Sequence, residues 1–436
     1  MIVGLLLLAA SVASAQSAPK TLTMQEAVDL ALKNNLDVES AQLNLQTAQS
    51  ELRRAWGSLA PDITLLGSYT RNFERPSAFM GGGKVIVAQP YSMRHSANLE
   101  QILFAGGAVS SGIRAARTGV AAELAQFDAS KEDAVLAVRR LFYAVLLASD
   151  TARIQQDNLA SSEDHLRTIK ERYRQGLDSD LTLLRQQVET ANAKPALLQA
   201  RNALEVSSIL LKDVLGLDVD SPTSFSGSLE APKGRLPDYE RLVQSALESN
   251  ADNRAARSRA LQAESRFHAL KGKNLPWLSL TANYQWYSES PDRWPDNQER
   301  ATSSMGGLLL RWPLFTGGDI SESIRQARIQ SELARTASEK IGRSVRVRLK
   351  QAWLSAQEAA ERARSQEEAV GQARRALEAT ELRYRAGQSS QLELTDATLA
   401  LQRARLFYAQ ALHDYRAQLA ALERAAGSPV VEETTP

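Results

Sequence analysis

The sequence predicts a mainly α-helical protein that carries four membrane β-strands and is built from two internal repeats. Three observations predict this. The order of motifs is written twice, two stretches of 67 residues run in helical pattern without a proline, and four short segments alternate apolar with polar residues.

The duplication comes first. ERYRQGLDSDLTLL, from Glu171, is answered by LRYRAGQSSQLELT, from Leu382. AVDLALKNN ending at Asn35 returns as LVQSALESN ending at Asn250, and LAPDITLLGSYT returns as NLPWLSLTANYQW. LFAGG at Leu103 returns as LFTGG at Leu314. The spacing is 215 residues at Asn35 and Asn250 but 211 at Gly176 and Gly387, so a loop between the strands changed length by four. Each half reads helix, strand, loop, strand, long helix, turn, helix. The expected divisions are a signal peptide over 1–15, a first repeat over 16–223, a linker over 224–237, a second repeat over 238–427 and a disordered tail over 428–436. The linker is SFSGSLEAPKGRLP, rich in Ser, Gly and Pro.

The long helices are expected over Ala108 to Arg174 and Asp319 to Arg385, each about 100 Å at 1.5 Å per residue. In the second, Ile320, Ile324, Ala327, Ala334, Ile341, Val345, Ala352 and Ala359 form a heptad seam, a coiled-coil signal. Leu401, Tyr408, Tyr415 and Leu422 form another on the last helix. The remaining helices, Met24–Leu59, Asp178–Leu215, Pro237–Lys273 and Ser389–Ala425, are each about half as long, so two stacked short helices match one long one. Pro195 is expected to kink its helix. Gly176 and Gly387 are placed to end the long helices in the left-handed conformation. Asp178 or Ser179, and Ser389 or Ser390, then cap the returning helices. Each Arg-Tyr-Arg-x-Gly is therefore the tip of a helical hairpin.

The strand segments set Ile63, Leu65 and Tyr69 against Thr64, Ser68 and Thr70, and Leu278, Leu280, Tyr284 and Trp286 against Ser279, Thr281 and Gln285. The return strands set Ala97 and Leu99 against Ser96, Asn98 and Glu100, and Leu308, Leu310 and Trp312 against Gly307 and Arg311. Such alternation fits a half-buried soluble sheet or a barrel strand in an outer membrane. Glu100 and Arg311 suit a water-filled lumen. Tyr69, Tyr284, Trp286 and Trp312 stand at strand ends, as in an interfacial aromatic belt. Four strands cannot close a barrel, and an open edge in lipid leaves backbone groups unpaired. Several chains would have to share one barrel.

Composition narrows the function. A net charge of +2 offers no strong field for nucleic acid, and four scattered histidines offer no metal site. The chain has no cysteine, which excludes disulfides, thiol chemistry and a lipid anchor carried on cysteine. MIVGLLLLAASVASA reads as a secretory signal with a small-x-small cleavage site, although it lacks a basic start and the true start lies upstream on that reading. No later apolar run reaches the roughly 20 residues of a membrane helix. MGGGKV at Met80 lacks the spacing of a phosphate loop and is expected to be a mobile loop between strands. No residue set suggests catalysis or a cofactor.

The doubled order, LAPDITLLGSY, the paired LFAGG and LFTGG and the paired RYRxG tips resemble the TolC family of outer-membrane efflux proteins, over nearly the whole chain after the leader. The resemblance implies a homotrimer with a twelve-stranded β-barrel in outer-membrane lipid and a twelve-helix α-barrel crossing the periplasm of a Gram-negative cell. It implies a periplasmic adaptor and an inner-membrane transporter as partners, and a passive exit duct for small molecules or proteins. The tips then form a periplasmic gate. Glu393 and Asp396 share one helix face and would give a ring of six carboxylates in a trimer. Tyr173, Tyr384, Arg172, Arg174, Arg383 and Arg385 are expected latch partners, with Asp178 and Asp180 at the first tip. Glu393 near a helix N-terminus is also explained by the helix dipole alone. The alternative reading is a secreted or periplasmic coiled-coil structural or adaptor protein.

Overall fold

A computed structural model describes residues 20–231, 233–294 and 300–430. The expected signal peptide and residues 431–436 lie outside the described residues. Of the expected tail, residues 428–430 are described. Val430 is buried and its N–H donates to Glu423 Oε1 at 3.4 Å.

In chain order the elements are β1 (Lys20–Leu22), α1 (Met24–Asn34), α2 (Leu36–Gly57), β2 (Asp62–Arg71), β3 (Ser77–Met80), β4 (Gly83–Ile86), β5 (Tyr91–Ala105), α3 (Ala108–Arg174) and α4 (Asp180–Val214). They continue with β6 (Thr223–Phe225), α5 (Tyr239–Ser249), α6 (Ala251–Gly272), β7 (Trp277–Ser290), β8 (Arg300–Arg311), α7 (Asp319–Arg385) and α8 (Gln391–Ala426). The chain divides into two compact units. Among the described residues, one takes those within 20–40, 128–250 and 344–430; the other takes those within 41–127 and 251–343.

The helical unit is held by a core of Leu22, Val28, Val138, Phe142, Leu211, Leu215 and Leu412, with Ala27, Ala31, Ala363 and Ala411 where helices approach closely. The seam residues Leu401, Tyr415 and Leu422 are buried on α8, and Val345 and Ala359 on α7. α4 runs unbroken through Pro195. Across the expected boundary between the first repeat and the linker, β6 pairs in parallel with β1. Three residues are too few for an alternation signal, so this pair was not legible. α1 starts on a capping box: Thr23 Oγ1 accepts from the Glu26 N–H, and the Thr23 N–H donates to Glu26 Oε2 at 2.8 Å. Thr23→Ala should cost about 1 kcal/mol. The check is an earlier midpoint in urea unfolding, with Thr23→Ser close to the parent.

Two expected helices are each split. Met24–Leu59 breaks at Asn35 and Pro237–Lys273 breaks at Asn250, both in extended backbone with ψ of 122° and 123°. Asn35 Oδ1 accepts from the N–H groups of Asp37 and Val38, at 2.9 and 3.1 Å, and so starts α2. Helical periodicity continues across the break, which is why pattern alone joined the pieces. The cue was the asparagine, whose side chain competes for backbone donors.

The second unit carries the sheet. Its order is β2-β5-β7-β8 with every pair antiparallel. Direct partners share a face, and the register makes one face apolar. Ile63 lies opposite Leu99, Leu65 opposite Ala97, Leu280 opposite Leu308 and Leu278 opposite Leu310. The other face carries Thr64, Asn98, Asn283 and Gln285. MGGGKV, expected as a loop between strands, turns a hairpin between β3 and β4, with Gly81 and Gly82 at φ of 60° and 88°. Two successive positive-φ residues are what a tight hairpin turn needs.

Candidate functional site: the helical tips and the open sheet

Both Arg-Tyr-Arg-x-Gly segments fold alike. Gly176 has φ of 76° and Gly387 of 74°. At the first tip the Gly176 N–H donates to Tyr173 O at 2.9 Å and the Leu177 N–H to Arg172 O at 2.8 Å. At the second, Gly387 donates to Tyr384 O at 3.0 Å and Gln388 to Arg383 O at 2.8 Å. This is the Schellman closure, in which a glycine free to take positive φ satisfies the last carbonyls. Ser179 and Ser390 are the N-caps, accepting from Thr182 and Glu393.

The tips bring three of the expected residues together. Arg172 Nε donates to Asp178 Oδ2 at 2.9 Å, and its guanidinium lies 5.7 Å from the centre of the Tyr384 ring. Arg172 thus ties its own tip to the other one. The Asp178 hydrogen bond raises the Arg172 pKa further, while burial and then Asp178 push the Tyr384 hydroxyl up. Tyr384 Oη is buried and has no hydrogen-bond partner among the described residues.

The other expected residues are not gathered within one chain. Glu393 and Asp396 are exposed on α8, and Ser389 Oγ donates to Glu393 Oε2. Arg174 pairs locally with Glu171 at 2.8 Å, and Arg385 with Glu381 at 3.9 Å. Tyr173, Asp180 and Arg383 face solvent. Behind the tips lies a cavity of about 150 Å³, lined by His165, Gln186, Tyr384 and Gln391 among others. Gln186 is buried, donating to Ser162 O at 3.1 Å and accepting from Gln391 at 3.3 Å. Burial lowers the His165 pKa. The sequence did not single out this polar layer, because a lone Gln or His in a helix looks like a solvated face.

On the sheet, Tyr69, Tyr284 and Trp286 lie on the apolar face, with Tyr69 OH donating to Arg293 O. Trp312 follows the last residue of β8 and is exposed. Glu100 and Arg311 both fall on the polar face; Glu100 stands opposite Asp62 and Thr281, and Arg311 opposite Trp277. β2 and β8 form the two edges and are exposed along their whole length. Among the described residues no helix is long and apolar enough to cross a membrane.

An open antiparallel sheet with one apolar face, in a chain of paired long helical hairpins, is the architecture of a TolC-like channel protein. The model of the outer membrane efflux protein family matches residues 27–217 and again 242–428, and the chain belongs to that family. It is 26% identical to outer membrane protein TolC of Vibrio cholerae over 306 residues, 70% of this chain and 69% of that one. It is 23% identical to outer membrane efflux protein BepC of Brucella suis over 435 residues, 99% and 91% of the two chains. The fold is similar to the crystal structure of VceC of Vibrio cholerae, with a TM-score of 0.74 at 21% identity over 93% and 96% of the chains.

Proposed function

We propose that three copies of this chain form a passive exit duct across the outer membrane and periplasm of a Gram-negative cell, delivering what an inner-membrane transporter and a periplasmic adaptor hand to it. The four-stranded sheet carries the reading. Its apolar residues share one face while both edge strands lack partners, an arrangement that lipid tolerates only when the edges are closed. Three copies supply twelve strands and twelve helical positions. Family membership supports the same reading, and no observation favours a soluble coiled-coil structural protein.

A second support comes from the repeat. Gly106 and Gly272 are in contact within the chain: a Cβ on Gly272 would sit 2.8 Å from Gly106 O. Their counterparts in the other repeat are Gly317 and Gly57, and a Cβ on either meets nothing within 4 Å. In a closed ring, Gly317 of one copy meets Gly57 of the next, so the seam between copies repeats the contact inside each.

Detergent-dependent recovery of a heat-sensitive trimer from the outer-membrane fraction tests the assembly; a soluble monomer overturns it. The faces are tested by one pair of variants. Leu308→Arg, on the apolar face, should cost about 2–4 kcal/mol at mid-bilayer and deplete the trimer in that fraction. Thr281→Arg, on the polar face, should leave assembly intact.

The gate reading places Arg172, Asp178 and Tyr384 in the latch and Glu393 and Asp396 in a carboxylate ring. Arg174, Arg383, Arg385, Tyr173 and Asp180 contact neighbouring copies or the adaptor. Glu393→Ala with Asp396→Ala should lower cation selectivity in planar bilayers and change conductance. Unchanged current and selectivity remove both residues from the gate.

A further inference from the structure

Where the strands meet the helices, the polar face of the sheet ends in an apolar cavity of about 680 Å³. The ladder fixes its side. Ile102 lies opposite Ser279, and Trp277 is two residues before Ser279 on β7. Both line the cavity, and both therefore belong to the face that carries Thr281, Asn283 and Gln285. α3 contributes Val109, Gly112 and Ile113, which share one face of that helix. α2 and α6 each contribute an arginine, Arg54 and Arg266. Both arginines are exposed, and neither has a carboxylate within ion-pair distance among the described residues. Glu51, one turn before Arg54, is the carboxylate of the lining. All of these residues come from one chain, so each copy carries a complete cavity.

Gly112 keeps the space open. A Cβ there would meet nothing within 4 Å, and the same position in the second repeat is Ser323. Neither packing within the chain nor the repeated local plan demands this glycine, which costs a helix about 1 kcal/mol relative to alanine. On the barrel reading, the polar face lines the tunnel. Apolar side chains gathered there are an exposed patch on a wetted wall, which marks a binding surface.

The lining selects the occupant. A cavity of this size and composition suits a drug-sized molecule, with an apolar body fixed by few polar groups. That body gains about 25 cal/mol for each Å² it removes from water. Two guanidiniums against one carboxylate leave a positive excess, and a guanidinium offers paired N–H donors to an acid group. We propose that the cavity is a resting site in the tunnel wall for amphipathic organic anions in transit. The apolar body lies against Val109, Ile113 and Trp277, and the acid group is drawn to Arg54 and Arg266. The inference rests on the proposed exit duct and goes beyond it by naming a cargo class and the residues that detain it.

The test is single-channel recording in planar bilayers with pyrene-1-sulfonate and with 1-pyrenemethylammonium, a cation with the same body. The sulfonate should interrupt the parent current reversibly. Its half-blocking concentration should rise about threefold in Arg54→Gln or Arg266→Gln and about tenfold in the double variant. Glu51→Gln should lower it about twofold. Gly112→Leu, which fills the cavity, should remove the block, and an unaltered open conductance shows that the channel has assembled. A parent current insensitive to the sulfonate overturns the inference, because a lipid chain or a segment of another copy then fills the cavity. Block that persists unchanged in the double arginine variant also overturns it. So does block by the ammonium probe that Gly112→Leu removes equally, since the charge then selects nothing. A failure of the duct reading is distinct from these outcomes, because it yields no channel current at all.

Discussion

Gly106→Ala should abolish formation of the trimer, whereas Gly317→Ala, at the same place in the second LFxGG, should leave the single chain folded and only about 1–2 kcal/mol less stable than the parent. Both glycines sit in the left-handed region, at φ of 56° and 63°. An alanine there costs about 1–2 kcal/mol in either repeat. The surroundings decide the rest. A Cβ on Gly106 would lie 2.5 Å from Leu275 Cβ and 2.6 Å from Gly272 O, neither of which is the free end of a flexible side chain. Overpacking adds about 1–3 kcal/mol. The total approaches the whole margin of a typical domain. A Cβ on Gly317 meets nothing within 4 Å in its own chain. Thermal unfolding of each variant, with gel mobility for the trimer, separates the effects. A bulkier Gly317→Val should block assembly while leaving the chain folded, because the crowding then comes from the next copy. A normal trimer from Gly317→Val would remove the proposed Gly317–Gly57 seam.

Arg172→Ala should open the tips. The guanidinium bonds Asp178 and also lies over the Tyr384 ring. Its side chain is 37% exposed and that of Asp178 14%, so solvent screens the pair in part. The pair is worth about 1 kcal/mol on that basis. That bond lies within one tip. Only the contact with the Tyr384 ring, about 0.5–1 kcal/mol at an exposed site, therefore differs between closed and open. Its loss shifts that equilibrium about two- to fivefold. Asp178 then faces the Tyr384 hydroxyl without its cation. Tyr384→Phe should have little effect, because it removes a hydroxyl that has no partner among the described residues. Open probability in planar bilayers reads both variants. An Arg172→Ala channel with parental open probability would show that the pair shapes the first tip without latching the second.

Much of the architecture could be read from residue order. The two 67-residue helices were expected over the residues they occupy, since proline-free heptads leave one regular solution. The glycine caps were legible because positive φ is cheap only for glycine. The apolar and polar faces of the strands followed from two-step alternation, and pairing then put all four apolar sets on one side. The breaks at Asn35 and Asn250 escaped, because periodicity carries no record of a single extended residue. The polar layer of Ser162, Gln186 and Thr190 escaped too, since burial of a polar side chain depends on what packs across from it.

The site shows the same division. Sequence nominated ten residues at the tips, and packing joins Arg172, Asp178 and Tyr384 while leaving Glu393 and Asp396 in solvent. Spacing along a helix tells which residues share a face. It does not tell which face meets the opposite hairpin.

By itself, the sequence determined that the chain is two copies of one plan, with long helices, left-handed glycine turns and two-faced strands, because each of these is set by local stereochemistry and periodicity. Only the tertiary structure decided that the two copies are not equivalent. Gly106 is pressed against the end of α6 while Gly317 stands open, and β2 and β8 are left as edges. The physical reason is that identical local motifs acquire different energies from their neighbours, and a neighbour distant in the chain leaves no mark on the motif itself.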